Sequence, residues 1–439
     1  MFKINHIHAK KLDFLPRDDN ENKFVFFTGD NGSGKSSRLL EIAYGVLGVQ
    51  RASNSGTDMR IGFSGKPTKL IAYSMTPFSK FDSREALFLE MDEIVERIGT
   101  AGGASRYSLL FQALVEFAHS DTKKEKLFSE ISKIANMSTH FRARIAINRA
   151  RIERHESMAS QPDDEIRSAI NRFRNVSGTF SVLMKPGEVR ISEWPSDDNE
   201  SNQLSLMGPG DDLFPIDALL YMRRIGALRI VRLETKIAPG AILNKGHDFR
   251  AGRLNTTPYG NEKFASTWFS VDRLSSGQLT LFMGLMILAS ALKDNSVVLI
   301  DEPEISLHPA WQRKYCELLY KIAGYHTNCY FFVATHSPII VSAIDPDKSY
   351  IFNLGKEIDG FENISSQKNI EEIFASYFST ITPNSFIVKA AILRTIQAFE
   401  DNDRSALESH RTTLSNIRTL LDDNETVEII DKVLSRTKK

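Results

Sequence analysis

The segment Gly29-Asp30-Asn31-Gly32-Ser33-Gly34-Lys35-Ser36 has residue types that can cradle phosphate. Its glycines let successive backbone N–H groups turn inward, and a helix beginning at its end adds partial positive charge. Lys35 is placed to reach β- and γ-phosphates, and the Ser36 hydroxyl to ligate Mg2+. Near the other end of the chain, the apolar run Val297-Val298-Leu299-Ile300 ends in Asp301-Glu302-Pro303. A second run, Tyr330-Phe331-Phe332-Val333-Ala334, ends in Thr335-His336-Ser337-Pro338. Phosphoryl transfer asks a protein for positioning and charge neutralisation more than for covalent chemistry. Asp301 is placed to hold Mg2+, directly or through water, and Glu302 to orient or polarise the attacking water. His336 could touch the γ-phosphate or that water. An ATP site is thus written in two distant parts of one chain.

The elements needed to position these groups can be read beside them. Phe24–Thr28 is an aromatic, β-branched strand running directly into the glycine loop. Ser36–Leu47 carries Leu39, Leu40, Ile42, Ala43, Val46 and Leu47 at helical spacing, with Ser37 in its first turn. The strands ending at Asp301 and His336 read as members of a parallel α/β sheet, which presents ligand-binding residues at strand carboxyl ends. Upstream of Asp301, Leu274-Ser275-Ser276-Gly277-Gln278 precedes an apolar helix over 279–292. Phe2–Ile7 reads as a strand joined to Phe24–Thr28 by a polar turn, 50–68 as a loop, and Lys69–Ser74 as a buried strand. Ser83–Gly99 and Arg106–Ala118 read as helices.

Composition sets the class. With 439 residues, 41% hydrophobic and 25% charged, the chain resembles a globular protein of two to three domains' worth of core. Lys plus Arg equals Asp plus Glu, at 55 each, so no global charge marks a nucleic-acid binder, although a local patch would suffice. Two cysteines, Cys316 and Cys329, make neither a disulfide framework nor a zinc pattern. The amino terminus has no apolar signal core, and no apolar run reaches the roughly 18 residues that span a bilayer. A soluble cytoplasmic protein without a membrane partner is expected.

Residues 120–265 read as a compact insertion between the two parts of the ATPase head, 1–119 and 266–355. It is predicted to hold helices at Lys123–Asn136 and Asp164–Arg174 and a hairpin turning at Lys185–Glu188. An exposed acidic loop at 196–201, a helix over Phe214–Leu228 and a strand over Arg229–Lys236 complete it. Arg142, Arg144, Arg149, Arg151 and Arg154 form its most basic stretch, with a second cluster at Arg223, Arg224, Arg229 and Arg232. These could track a phosphate backbone or could be a solvated face. Residues 356–439 read as a helical tail with apolar faces around Ile373–Phe378, Ile387–Phe399 and Leu414–Leu421. The tail is either a cap on the head or a docking platform.

Together these motifs resemble the ABC-type P-loop ATPases, in order and in type. Leu274–Gln278 is similar to the signature motif, with Ser276 where glycine is commonest. Asp301-Glu302-Pro303 matches the Walker B end, Ser306-Leu307-His308 the D-loop, and His336 the switch histidine. No glutamine follows the Lys69–Ser74 strand, where the family has its Q-loop residue, and Gln50 is the alternative. The resemblance implies an α/β ABC head with Walker A, whose Gly29, Asn31, Gly32, Ser33, Gly34, Lys35, Ser36 and Ser37 hold ATP and Mg2+. It implies a head-to-tail homodimer or higher oligomer in which Ser275, Gly277 and Gln278 of one subunit meet the nucleotide of the other.

Glu302-Pro-Glu-Ile-Ser-Leu-His-Pro309 resembles the soluble RecF, SMC-like and OLD-type branch. Within it, the compact insertion and helical tail resemble anti-phage ATPases of the Septu, retron-associated and PARIS kinds. That resemblance implies a sensor or scaffold controlling a separate effector, a nuclease or toxin from a neighbouring gene. A RecF-like ATP-dependent DNA-repair clamp is the alternative, supported locally by the arginine clusters. A transporter's nucleotide-binding subunit ranks last.

Overall fold

The computed structural model describes residues 3–9, 12–14, 21–29, 31–49, 60–74, 80–82, 95–99, 106–118, 122–134, 137–156, 179–185, 188–193, 216–237, 268–274, 276–345, 348–354, 386–401, 403–419, 421 and 423–437, with 164, 166–168 and 170. The chain opens with strands β1 (Lys3–Ala9), β2 (Leu12–Phe14) and β3 (Lys23–Thr28), then helix α1 (Lys35–Leu47). Strands β4 (Arg60–Ser64), β5 (Lys69–Ser74) and β6 (Val95–Gly99) lead to helices α2 (Arg106–Ala118) and α3 (Thr122–Ile134). Next come β7 (Met137–Ile147), α4 (Arg149–Glu156), β8 (Thr179–Lys185), β9 (Glu188–Glu193), α5 (Ile216–Arg224) and β10 (Leu228–Ile237). After β11 (Trp268–Ser270) follow α6 (Ser276–Ala291), β12 (Ser296–Asp301), α7 (Pro309–Ala323) and β13 (Tyr330–Ala334). The short α8 (Pro338–Ser342) and β14 (Ser349–Asn353) precede α9 (Phe386–Glu400), α10 (Arg404–Thr419) and α11 (Asn424–Arg436).

The expected α/β class is present as a six-stranded, all-parallel sheet ordered β14-β3-β13-β12-β5-β6. Its inner strands β3, β13 and β12 are near-continuous apolar runs because both faces are buried, the usual condition of a parallel sheet. Alternate residues of each strand serve opposite layers. Val25, Phe27, Val297 and Leu299 pack with Leu39, Leu40 and Ala43 of α1. Phe24, Phe26, Val298 and Ile300 face the other way, into a core shared with α2, α6 and α7. Asn22 sets the start of β3. Its amide donates to the Ala323 and His326 carbonyls at 2.8 and 2.9 Å, and its Oδ1 accepts from the Cys329 N–H at 2.9 Å.

A five-stranded antiparallel sheet, ordered β11-β10-β7-β8-β9, joins the same core. A run of stacked rings carries the junction. Phe117 of α2 meets Phe128 of α3, Phe128 meets Phe141 of β7, and Phe141 meets Phe282 of α6, at centroid separations of 5.7, 6.0 and 5.5 Å. Offset aromatic contacts of this kind add about 0.5–1.5 kcal/mol each beyond the area they bury.

Several local expectations change in three dimensions. The 50–68 loop contains β4, which pairs with β1, and β2 pairs with β1 on the other side. The first strand therefore belongs to a separate three-stranded sheet, while β3 joins the parallel one. Within Ser83–Gly99, read as a helix, the described part is β6, parallel to β5 with Ile98 opposite Tyr73. Pairing along the open edge of β5 outweighs the helical spacing there. Helical tail segments are present as expected, with Val388, Leu414, Ile417 and Ile430 in a small common core. Leu393, expected on an apolar face, is 65% exposed. The Ile373–Phe378 face lies outside the described residues, as does the 196–201 loop. Among the described residues no helix is long and apolar enough to cross a membrane.

Candidate functional site

Strand order decides what meets here. β3, β13 and β12 are consecutive neighbours, so the residues following their carboxyl ends, Gly29, His336 and Glu302, stand side by side although as many as 307 residues separate them in sequence. Backbone bonds fix that register. The Thr335 N–H donates to the Phe27 carbonyl at 3.0 Å, and the Glu302 N–H to the Ala334 carbonyl at 2.9 Å.

The glycine loop needs its glycines at two positions above all. Gly32 and Gly34 have φ of 81° and 92°, a region costly for any residue with a Cβ. Gly34 is the residue from which α1 begins, so the loop delivers Lys35, Ser36 and Ser37 to the helix's first turn. Lys35 is 3% exposed, and its ammonium donates to the Gly29 carbonyl at 2.8 Å and to the Ser33 hydroxyl at 3.2 Å. It thus crosses back over its own loop, the place phosphate oxygens would take. Asn31 lies in the turn.

Ser36 Oγ donates to Asp301 Oδ1 at 2.8 Å. These are hard oxygen donors of the kind Mg2+ takes. Burial pushes Asp301 up to about 6, against the Ser36 hydrogen bond that lowers it, with the Glu302 charge adding to the rise. A buried carboxylate carrying that penalty is suited to a cation that would relieve it. Among the described residues no group of three or more His, Cys, Asp or Glu side chains could cage a metal without help. Water and phosphate oxygens would therefore complete the shell around Ser36 and Asp301, as is usual for Mg2+. Mg2+ bound there would neutralise charge on the β- and γ-phosphates.

Glu302 moves the opposite way. Its Oε1 lies 3.3 Å from His336 Nε2, and hydrogen bonding to His336 lowers it most, ahead of the opposing burial. Two adjacent carboxylates thus have environments that push them apart, a pattern that separates roles within a site. Asp301 faces the helix and Glu302 the histidine. Glu302 also has φ of 50°, an uncommon backbone geometry for a non-glycine residue.

Two residues the sequence reading passed over hold this pair. Glu304 Oε1 accepts from the His336 N–H at 2.5 Å. Burial raises its carboxyl, and Oε2 is buried without a hydrogen-bond partner, which disfavours a charge there. Gln312 spans the neighbouring turn. Its amide donates to the Leu307 carbonyl at 2.9 Å and accepts from the Ser337 hydroxyl at 2.6 Å. The third carboxylate in Asp301-Glu302-Pro303-Glu304 was the available sequence signal for Glu304. Gln312 had none.

Gly277 begins α6 against this same turn. A Cβ built on it would lie 2.4 Å from the Ser306 carbonyl oxygen and 3.3 Å from the Trp311 ring. Ser306 itself is left-handed, with φ of 66°. The obstacle is backbone, so Gly277→Ala is expected to push the 304–308 turn out of register. ATPase turnover should fall at least about tenfold, since misplacing a reactive group by about 1 Å can cost 10²-fold. Steady-state ATPase assays check this, with circular dichroism to confirm the fold. Gln278 lies in the first turn of α6, and Ser275 and Gln50 fall outside the described residues.

The AAA_21 family model, described as "AAA domain, putative AbiEii toxin, Type IV TA system", matches residues 24–342 of the 439. The chain belongs to the AAA_21 family. The match runs from the first residues of β3 to the end of α8, so it takes in the phosphate loop, Asp301, Glu302 and His336. As an AAA_21 member it carries the AAA domain that the family's description names. Over 95 residues it is 30% identical to the "Retron Vc95 probable ATPase" of Vibrio cholerae serotype O1 biovar El Tor. That alignment covers 19% of this chain and only 18% of the Vibrio protein. Among solved structures, an ATP-binding cassette of an ABC transporter aligns over 85% of this chain and 95% of its own, at 9% identity and a TM-score of 0.29. An SMC head bound to the C-winged helix domain of ScpA aligns over 79% and 93%, at 13% identity and a TM-score of 0.28.

Proposed function

We propose that this AAA_21 protein binds and hydrolyses Mg-ATP, closes head-to-tail with a second copy when ATP is bound, and thereby controls a separate effector in anti-phage defence. One observation carries the ATPase part: Lys35, Ser36, Asp301, Glu302 and His336 converge at the carboxyl ends of three adjacent strands. In this reading Lys35 holds the β- and γ-phosphates, Ser36 and Asp301 hold Mg2+, and Glu302 orients the attacking water beside His336.

The dimer follows from the signature motif. Gly277 packs on the 304–308 turn, and Ser275, Gly277 and Gln278 would complete the phosphate site of the partner copy. ATP would then bind the closed dimer better than the open one, and hydrolysis would release it. A ligand shifts such an equilibrium only by its differential affinity for the two states. The effector is proposed to be a nuclease or toxin, supported by the toxin wording of the family description and the retron-associated relative. Its dock would be the tail, where α9 exposes Leu393 and Phe399.

The test is affinity purification of tagged protein from its native host with ATP or ADP, followed by mass spectrometry and sedimentation. A doubled mass with ATP, together with a neighbouring gene product at fixed stoichiometry, is the expected result. An unchanged monomer mass in both nucleotides would refute the head-to-tail closure. Retention of the effector after removal of 386–439 would refute tail docking.

A further inference from the structure

We propose that the outer face of the five-stranded antiparallel sheet is a nucleic-acid-binding surface that holds a strand by its phosphates. The sheet's inner face is fully committed, with Phe141, Ala143 and Ile145 of β7 and Val182 and Met184 of β8 all buried. Side chains alternate across a strand, so His140, Arg142 and Arg144 stand on the opposite side. The register places Arg232 opposite Arg144 and Glu234 opposite Arg142. Lys236 stands opposite Trp268 of β11. A bulge between Ile230 and Arg232 keeps Arg229 and Arg232 on the same face.

The charge on this face is one-sided among the described residues. Lys185, Arg142, Arg144, Arg190, Arg229, Arg232 and Lys236 outnumber the two acids at outer positions, Glu188 opposite Lys185 and Glu234 opposite Arg142. The Glu234 carboxylate is only 4% exposed and takes both neighbours. It accepts from Arg142 at 2.9 and 2.7 Å and forms an ion pair with Arg232 at 3.0 Å. One buried anion beneath two guanidiniums fixes their directions and leaves the surface positive. His140 is pushed down, first by burial and then by the charges of Lys236 and Lys185. Its surroundings are therefore cationic. Arg144 directly opposite Arg232 is a like-charge cross-strand pair, which costs sheet stability. Such local conflicts gather where function requires them.

The chemistry of the face selects its occupant. Arg142 and Arg144 stand two residues apart along β7, a spacing of about 6.6 Å, and Arg229, Arg232 and Lys236 run beside them along β10, an extended cationic array that suits a polymer of repeating charge. Guanidinium forks match phosphate oxygens. The Trp268 ring, with Arg142 at 4.8 Å and Lys236 at 4.9 Å from its centroid, adds an aromatic surface of the kind on which bases stack. Arg232, at 48% side-chain exposure, and the exposed Arg229 leave the face open to solvent.

The experiment is fluorescence anisotropy of the full chain with labelled oligonucleotides of about 30 nucleotides, a length covering several typical site sizes. Single-stranded DNA, duplex DNA and single-stranded RNA are compared across a salt series. Binding should weaken with salt, with a log–log slope of about −0.7 per phosphate contact on a single strand. The Arg229→Glu/Lys236→Glu double variant should bind at least about tenfold more weakly and with a shallower slope. ATP binding should be unchanged, because neither residue is in the nucleotide machinery. Arg229→Gln/Lys236→Gln, expected to lose about threefold or more, covers the case in which charge reversal unfolds the sheet. Preference among the three probes assigns DNA or RNA. The proposal is overturned if no probe binds at low salt or if the double variant binds like wild type. It is also overturned if polyglutamate binds as tightly as the oligonucleotides, which would assign the face to an acidic protein. Loss of binding on Arg149→Glu/Arg154→Glu in α4 alone would place the site elsewhere and overturn it too.

Discussion

Glu302→Gln is expected to bind Mg-ATP with close to wild-type affinity and to hydrolyse it at least about a hundredfold more slowly. That magnitude is the usual contribution of a positioned base. Glutamine keeps the shape and can still meet His336, whose Nε2 lies 3.3 Å from the present carboxylate. What is lost is an ionised oxygen. The His336 hydrogen bond holds the Glu302 carboxyl below its ordinary range, so the wild-type group is charged at neutral pH, as the proposed role requires. Asp301, held by Ser36, is untouched, and nucleotide affinity should survive. Single-turnover hydrolysis and equilibrium binding of a fluorescent ATP analogue separate the two quantities. Turnover within fivefold of wild type would remove Glu302 from the proposed mechanism. A trapped ATP-bound dimer in sedimentation would in addition support the head-to-tail closure.

Lys35→Ala should instead abolish productive nucleotide binding, weakening ATP by about a hundredfold or more. Losing a buried, hydrogen-bonded charge partner typically costs about 2–5 kcal/mol. The ammonium is almost fully enclosed and donates to the Gly29 carbonyl and the Ser33 hydroxyl. Those acceptors also lose their donor in the variant. The nucleotide-free protein should therefore melt at lower temperature, by the roughly 1–3 kcal/mol an orphaned buried polar group costs. Lys35→Arg is not a rescue, because a planar fork does not fit where a compact ammonium is enclosed. Calorimetric titration with Mg-ATP and thermal melting check both parts. Affinity within threefold of wild type would show that phosphate is held by the backbone N–H groups alone. The contrast between the two variants is itself informative: Glu302→Gln is expected to retain ATP, whereas Lys35→Ala is expected not to acquire it.

Much of this site was legible in the chain because phosphate chemistry demands local patterns. Backbone amides converge on an anion only through residues close in sequence, so the Gly29–Ser36 loop is a contiguous word. Apolar strands ending in Asp301 and His336 carry the same kind of local signal. Buried on both faces, β3, β12 and β13 had to read as unbroken hydrophobic runs, and the helices α1 and α6 as periodic or wholly apolar ones. Even the basic face had a sequence trace. In Phe141-Arg-Ala-Arg-Ile145, arginines alternate with buried residues at a period of two, the signature of a half-buried strand. Attention to the arginines alone obscures the alternation that places them.

Only the tertiary structure decided the rest, because it depends on contacts between residues hundreds of positions apart. No local pattern says that β13 lies between β3 and β12, yet that order brings Lys35, Asp301 and His336 into one site. Strand β6 takes its form from the open edge of β5, against its own helical spacing. Gln312 and Glu304 acquire their roles from a turn and a strand end that meet only after folding. Glu234 is an unremarkable strand residue until β7 places Arg142 opposite it, and the cationic sheet face exists only through that pairing. The sequence by itself determined which reactive groups this protein carries, since each motif is local in the chain. The fold determined which of those groups meet, since adjacency in a sheet is a property of pairing and not of order along the chain.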